Sequence, residues 1–248
     1  MTDISRLRDV AVVGPHHSGK TTLIEALLAH CGAIPRRGSV HEGTTTTDFE
    51  PESIGHAQST CVGFAYTACG SVELNLIDCP GFVDFFEETK QALMAADAAV
   101  VVVDPDPTRI LQTQSLIDFI ESRKMPHLFV INKMDREGAD FIGTLAALRD
   151  AYGLHVVPEH MPIGAGPELT GYVDLVEQIA YAFDANGKEH QVEIDGGVRD
   201  NVARYRRELL EALGDFDDSL LEALLEDKEP TKDEVVKDLV EDASHDLV

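Results

Sequence analysis

The sequence predicts an α/β fold in which a mostly parallel sheet carries helices on both faces. Short apolar runs rich in valine and isoleucine, typical of buried strands, alternate along the chain with longer segments of helical periodicity. This alternation is typical of βαβ units, whose helices cover both sides of a parallel sheet. Ligands of such sheets bind at the carboxyl ends of the strands, and the polar motifs of this chain follow its predicted strands.

The individual elements are predicted from the spacing of apolar residues. The predicted strands occupy residues 10–13, 72–77, 98–103 and 128–131, and we expect the last two to be fully buried. The predicted helices occupy residues 21–29, 85–95, 111–122 and 141–151. Near the C-terminus, acidic residues alternate with leucine and valine at helical spacing, which predicts packed helices with charged outer faces.

Composition restricts the class of protein. The 248 residues, of which 44% are hydrophobic, suffice for one large domain or two small ones. A formal net charge of −25 argues against a broad basic face for DNA, so no DNA partner is expected. The start "MTDISRLRDV" has no apolar signal core, and the apolar run at 98–103 is too short to span a bilayer, so we expect a cytoplasmic protein with no membrane partner. Cys31, Cys61, Cys69 and Cys79 show no CxxC spacing, which favours buried fillers over zinc ligands or disulfides.

The segment "GPHHSGKT" has the spacing of a phosphate-binding loop between a strand and a helix. Backbone N–H groups of such a loop cradle phosphates, and the helix N-terminus adds positive potential. Lys20 would reach the outer phosphates and the Thr21 hydroxyl would bind Mg²⁺. The alternative is a chance glycine turn before a helix. The candidate nucleotide-binding residues here are Gly14, Pro15, His16, His17, Ser18, Gly19, Lys20, Thr21 and Thr22.

Two further motifs each follow a predicted strand. In "IDCPGFVDF", the Asp78 carboxylate can hold the shell of Mg²⁺ through water, and the Gly81 N–H can bond a γ-phosphate oxygen. An aspartate that caps a helix is the alternative for this short motif. In "VINKMDR", Asn132, Lys133 and Asp135 form a candidate guanine site: the Asp135 carboxylate can accept two N–H bonds from guanine, which adenine cannot supply. A polar loop is the alternative there.

With these motifs in order, the chain resembles translational GTPases, specifically elongation factor G and its paralogues. "GSVHEGTTTTDFEPESI" is similar to the family's first switch region. "MPIGAGPELTGYVDLVEQIAYAF" and "LGDFDDSLLEALLEDKEPTKDEVV" resemble the insertion subdomain of elongation factor G. The resemblance implies a P-loop NTPase G domain at residues 1–157, lacking its last strand and base-backing loop, and an α+β insertion subdomain at 158–248. An ATP-using P-loop kinase remains an alternative, although it gives the third motif no role.

The departures from the family pattern fall at the site of hydrolysis. His17 stands where elongation factor G has an acidic residue, and Phe82 stands where it has the histidine that positions the attacking water. In the first switch the register places Ser59 at the Mg²⁺-binding threonine, with Thr60 or a member of 44–47 as substitutes. This pattern is similar to the second-copy paralogues of elongation factor G. It implies a metal site of Thr21, Ser59 and, through water, Asp78.

The resemblance also implies function and partners. We expect GTP or GDP to bind with Mg²⁺ and hydrolysis to be weak, since no residue is a certain catalyst and only the loop histidines, His17 above all, are candidate substitutes. The alternative is an active ribosome-stimulated GTPase that drives translocation or ribosome protection. The ribosome, met at its stalk proteins through the insertion subdomain, is the expected partner of a monomer. The chain is expected to be an N-terminal part of a larger protein, with a naturally short protein as the alternative.

Overall fold

The computed structural model describes residues 6–56, 58–153, 156–184, 187–226 and 228–244. They divide into two compact units. The first unit comprises the described residues of Met1–Asp104 and Gln112–Asn132. The second comprises those of Pro105–Leu111 and Lys133–Val248.

The first unit is built on a five-stranded sheet in the order β2-β3-β1-β4-β5. Its strands are β1 (Leu7–Val13), β2 (Gly63–Cys69), β3 (Val72–Asp78), β4 (Ala98–Val103) and β5 (His127–Ile131). All neighbours pair in parallel except β2, which runs antiparallel to β3. In this register Val12 of β1 lies opposite both Asp78 of β3 and Val100 of β4. The carboxyl ends of β1 and β3 are therefore within one residue of each other, and β4 continues slightly further along the same edge. The polar segments after these strands therefore start at the same edge of the sheet.

The first unit also contains four helices, of which the first and third pack against this sheet. They are α1 (Lys20–His30), α2 (Pro51–His56), α3 (Phe86–Ala95) and α4 (Gln114–Ser122). The core between α1 and the sheet contains Ile24 and Leu28 of the helix, packed against Val12, Leu76 and Val102 of three strands. Burial of such side chains is the main favourable contribution to folding, at about 25 cal/mol per Å² of apolar surface.

The second unit combines a four-stranded antiparallel sheet with four helices. Its strands are β6 (His160–Ile163), β7 (Gly171–Asp174), β8 (Ile179–Phe183) and β9 (Glu189–Val192), paired in chain order. Its helices are α5 (Phe141–Tyr152), α6 (Gly196–Gly214), α7 (Asp218–Leu225) and α8 (Lys232–Ser244). One face of α6, with Tyr205, Leu209 and Leu213, is buried in a core that also receives Leu220 of α7 and Val235 of α8. The unit is thus α+β, and the C-terminal charged segments form helices with buried apolar residues.

The predicted fold class is confirmed, and most predicted elements are present with shifted ends. Short 3₁₀ segments, Val83–Phe85 and Pro107–Thr113, occupy the starts of two predicted helices, so α3 and α4 begin later than expected. Strand β2 was not predicted. The expectation that β5 is fully buried was wrong, because β5 pairs only with β4 in the described sheet and its Leu128 is 52% exposed.

The cysteines differ partly from expectation. All four are free thiols, and Cys79 is buried as predicted, but Cys31, Cys61 and Cys69 are only half-buried. Burial raises the pKa of the Cys79 thiol to about 12, with the nearby Asp78 carboxylate adding to the rise. Within the described ranges, no helix has the length and apolar character needed to cross a membrane.

Candidate functional site

The predicted phosphate loop connects β1 to α1 at the carboxyl ends of the parallel strands in the first unit. Gly14 has a φ of 139°, and Gly19, in the left-handed region at 95°, precedes the first residue of α1. The loop closes on itself, because the Ser18 N–H and the Lys20 ammonium both donate to the carbonyl of Pro15, at 3.2 and 3.0 Å. The loop therefore has the curled form that turns N–H groups towards an anion.

The segment after β3 packs directly on this loop at Gly81. A β-carbon added to Gly81 would lie 2.8 Å from both the Gly14 carbonyl oxygen and the His16 nitrogen, and would also clash with the Lys20 ammonium. Only glycine allows so close an approach of two backbones. The first and second predicted motifs thus form one site.

Three ring side chains, two of the phosphate loop and one of the segment after β3, lie next to one another. The centroids of the His16 and His17 rings are 3.6 Å apart, and the Phe82 ring meets His16 edge-on at 4.5 Å. His17 is exposed and has a φ of 62°, a conformation that is uncommon for residues other than glycine. Phe82, 39% exposed, presents only carbon and hydrogen at the position where the resemblance implies a water-orienting histidine. The ring of Phe82 cannot hydrogen-bond to a water molecule.

Hydroxyl and carboxylate groups converge beside the start of α1, in a cluster that we call the metal corner: Thr21, Thr47, Asp48, Ser59 and Asp78. The Ser59 hydroxyl donates to Asp48 Oδ2 at 2.7 Å and lies 3.4 Å from the Thr21 hydroxyl, which is itself 3.5 Å from Asp48 Oδ2. The Thr47 hydroxyl donates to Asp78 Oδ2 at 2.6 Å. Oxygen atoms of these types are the ligands that Mg²⁺ prefers, so the residues present fit that ion.

Asp78 is the electrostatic centre of the metal corner. The side chain is 1% exposed, and its Oδ1 atom is buried with no hydrogen-bond partner among the described residues. Burial raises the Asp78 pKa from 3.8 to about 6, although the Thr47 and Thr21 hydroxyls and the Lys20 ammonium oppose the rise. A buried carboxylate with an unused oxygen is poorly compensated by the protein alone, which supports a role in the shell of a cation.

The candidate hydroxyl groups of the first switch region differ in their hydrogen-bond partners. Thr60 contacts the Ser53 hydroxyl at 3.0 Å, the Thr44 hydroxyl accepts from the Ser39 N–H, and the Thr45 hydroxyl donates to the Asp48 carbonyl. Ser59, by contrast, lies in the metal corner. Thr47 also lies there, and Asp48 is a carboxylate that the sequence interpretation overlooked. Its position inside the predicted switch region was the available signal.

The third motif is divided between the two units. The Asn132 side chain belongs to the first and donates to the Ser18 carbonyl at 2.9 Å, which ties the end of β5 to the phosphate loop. Lys133 and Asp135 belong to the second unit, where Lys133 has a φ of 56° and Asp135 is exposed. Burial, followed by the nearby Arg109 and Arg136, lowers the Lys133 pKa. Thr22, the remaining predicted residue, is exposed at the start of α1.

A phosphate loop joined to an Asp-x-x-Gly segment, at the carboxyl edge of a mostly parallel sheet, defines a P-loop nucleotide-binding domain. The chain matches the family described as the elongation factor Tu GTP binding domain over residues 5–237, and it belongs to that family. The resemblance to translational GTPases is thereby confirmed.

Similarity to individual proteins supports this family assignment. The chain is 38% identical over 242 residues to an elongation factor G-like protein of Synechocystis sp., which covers 98% of this chain and 36% of that protein. It is 32% identical over 230 residues to elongation factor G of Mycoplasma pneumoniae, covering 92% and 33%. A crystal structure of a Thermus thermophilus protein superposes with a TM-score of 0.88 at 37% identity, covering 98% of this chain and 36% of that one. The chain spans about a third of the length of these relatives.

Replacing Asp78 with asparagine should stabilise the metal-free protein at neutral pH. Because the folded-state pKa is raised, the protonated form is favoured in the fold, and stability is lost as pH rises from about 4 through about 6. The rise from 3.8 to about 6 corresponds to about 3 kcal/mol, an upper value for the gain in the free energy of unfolding of Asp78→Asn at pH 7. Urea unfolding in EDTA between pH 4 and 8 measures it.

The matched control is Asp84→Asn, which makes the same change at an exposed residue and should alter stability little. A gain for Asp78→Asn that does not grow between pH 4 and 7, or a loss at pH 7, would contradict the burial argument.

Proposed function

We propose that the chain is the guanine-nucleotide-binding domain of an elongation factor G-like, ribosome-associated translation factor that binds GTP or GDP with Mg²⁺ and hydrolyses GTP weakly. The observation that carries this proposal is the packing of the Gly81–Phe82 segment on the phosphate loop. It supplies a backbone N–H next to Lys20 for holding a terminal phosphate, and a carbon ring where orientation of water is needed.

The residues of the first unit are suited to binding a nucleotide. The loop N–H groups and Lys20 would neutralise phosphate charge, as in other P-loop proteins. Mg²⁺ would be held by Thr21 and Ser59 directly and by Asp78 through water, and it would neutralise the charge between the outer phosphates. Asp48, hydrogen-bonded to Ser59, orients that hydroxyl. Asn132, also proposed as a nucleotide-binding residue, braces the loop through Ser18.

Guanine specificity is assigned to Asp135, whose carboxylate would accept two N–H bonds from the base, with the Lys133 stem beside it. Asp135→Asn should weaken GDP binding by roughly tenfold or more, because one carboxylate acceptor becomes a donor facing a donor. Affinity for xanthosine diphosphate, which carries an oxygen where guanine has its amino group, should rise. Competition titrations with GDP, xanthosine diphosphate and ADP measure this change.

Glu137→Gln is the control, since it removes one negative charge at an exposed residue two positions away. An Asp135→Asn variant that still separates GDP from ADP as the wild type does would refute the assignment. Effective competition by ADP against the wild type would instead favour the kinase alternative.

Weak hydrolysis is inferred from what the site can and cannot supply. Phosphoryl transfer to water needs stabilised phosphate charge and an oriented nucleophile. Lys20, the loop N–H groups and Mg²⁺ would provide the first. Phe82 cannot provide the second, and loss of one positioned group costs about 10²–10⁴-fold in rate. One observation favours the alternative, an active ribosome-stimulated GTPase. The His16 ring contacts Phe82 and lies 3.6 Å from the His17 ring, and a neutral imidazole can accept a proton near pH 7.

Phe82→His in the full-length protein should raise ribosome-stimulated GTP turnover by about 10²-fold or more, because it restores a hydrogen-bonding ring. Phe82→Leu, which stays apolar, is the matched control and should leave turnover low. Single-turnover hydrolysis with and without ribosomes measures both. Efficient hydrolysis by the wild type that disappears in His17→Ala or His16→Ala would instead make the histidine pair catalytic.

The ribosome is the proposed partner of a cytoplasmic monomer with no DNA or membrane ligand, and the insertion subdomain proposed at 158–248 would meet the stalk proteins. The second unit presents exposed apolar residues on its C-terminal helices, Leu221 and Leu225 on α7 and Val240 on α8. Leu221 and Leu225 are four residues apart and so share one face of α7, and contiguous exposed apolar surface is typical of protein contact sites. The acidic background would steer a partner more than it would add affinity.

The double change Leu221→Asp with Leu225→Asp should weaken stalk-protein binding at least tenfold, because apolar contact area is replaced by charge. Leu111→Asp is the control: Leu111 is 74% exposed, close to the 78% of Leu225, but lies outside the insertion. Titration of full-length protein with isolated stalk proteins measures the affinity. Equal binding by the double variant and the wild type would exclude these helices as the contact.

A further inference from the structure

The buried carboxylate of Glu25 has no assigned role in nucleotide binding. Glu25 lies on α1 four residues after Thr21, so the two side chains share one face of the helix. It is 1% exposed. A buried charge is retained only where hydrogen bonds compensate for the loss of water. Here both carboxylate oxygens accept main-chain N–H groups: Oε2 from Gly38 at 2.6 Å and Oε1 from Thr46 at 2.5 Å.

The two donors are the ends of one compact loop. Within it the Thr44 N–H donates to the Ser39 carbonyl at 3.1 Å, and the Ser39 N–H donates to the Thr44 hydroxyl at 3.0 Å. A β-carbon at Gly38 would lie 2.8 Å from the Thr45 Cα and would clash with the Thr44 carbonyl, so the ends of the loop are in close contact. A single carboxylate therefore closes the segment 38–46 onto the phosphate-loop helix.

The metal corner begins at the residue after this closure. Thr47 and Asp48 directly follow Thr46, and they are the residues that reach Asp78 and Ser59. With the Thr46 N–H held by a charged acceptor, the backbone leading to Thr47 cannot move away without breaking a charge-assisted hydrogen bond. The position of the switch residues relative to Thr21 is thus set from α1 itself.

We propose that Glu25 is the positioning residue of the metal corner: it anchors both ends of the loop 38–46 to the phosphate-loop helix and so couples the first switch to the cation and nucleotide. The consequence for nucleotide rests on the function proposed above. The anchoring does not, because it is a property of the protein's own hydrogen bonds. When Glu25 is altered, the loop separates from α1, Thr47 and Asp48 leave the corner, and cation-dependent retention of nucleotide is lost.

Substitutions at position 25 separate this role from simple packing. Glu25→Gln keeps the shape of the side chain but leaves one acceptor, and its amide nitrogen faces a main-chain donor. Glu25→Asp keeps the charge but is one methylene shorter and cannot reach both donors. Glu121→Gln, an exposed glutamate on α4 of the same unit, is the matched control for charge. Thermal unfolding of each variant checks that it folds.

The first measurement is hydrogen exchange of the Gly38 and Thr46 amides in the full chain without nucleotide. Both should exchange slowly in the wild type and Glu121→Gln, and at least one should exchange roughly tenfold faster or more in Glu25→Gln, as expected for loss of a hydrogen bond to a charged acceptor. Equal exchange in wild type and Glu25→Gln overturns the inference.

The second measurement is the dissociation rate of a fluorescent GDP analogue in Mg²⁺ and in EDTA. In the wild type Mg²⁺ should slow dissociation strongly, whereas in Glu25→Gln and Glu25→Asp the ratio of the two rates should fall at least fivefold, with the EDTA rates unchanged. A purely structural defect would raise both rates together, and that result, or an unchanged ratio, overturns the positioning role. Failure of the wild type to bind the analogue refutes the proposed function, and the exchange measurement then decides the anchoring alone.

Discussion

The parallel register of β1 with β3 is the constraint on which the rest of the site depends. Val12 lies opposite Asp78, and the Cys79 N–H donates to the Val12 carbonyl at 3.1 Å. The two strands therefore end at nearly the same position along the sheet. After β1 the backbone curls into the phosphate loop, and after β3 the backbone passes through Gly81, which packs against that loop. A slip of one residue would turn the Asp78 side chain to the opposite face of the sheet. The metal corner would then lose its most buried carboxylate.

The first unit places three carboxylates, Glu25, Asp48 and Asp78, near one helix terminus in surroundings that exclude water. Each is engaged by donors that carry no full charge: main-chain N–H groups for Glu25 and hydroxyl groups for the two aspartates. For Asp78 the hydroxyl donors offset the cost of burial only in part, since its pKa remains raised to about 6. A cation would remove this cost. Binding of the proposed cation would therefore stabilise the folded form of the corner.

The sequence predicted those features that depend on local spacing. The phosphate loop, Asp78 with Gly81, and Asn132 could be proposed from the sequence because each motif is short and follows a strand. Glu25 was not found, because its partners are main-chain groups more than ten residues away, which no side-chain pattern reveals. Strand β2 was missed because its small residues weaken the alternation, and the burial of β5 was overestimated because an apolar run does not distinguish a central strand from an outer one.

In the proposed function, nucleotide binding and hydrolysis would depend on different parts of this site. The affinity for phosphate would come from Lys20, the loop N–H groups and the corner oxygens, none of which involves Phe82. Phe82 instead meets His16 edge-on and presents carbon at the position where the proposed function would need a residue that orients water. A residue that acts only in the transition state changes turnover without changing ground-state affinity. If the proposed roles hold, the domain would retain its nucleotide through the binding loop while the Phe82 ring sets the rate of hydrolysis independently.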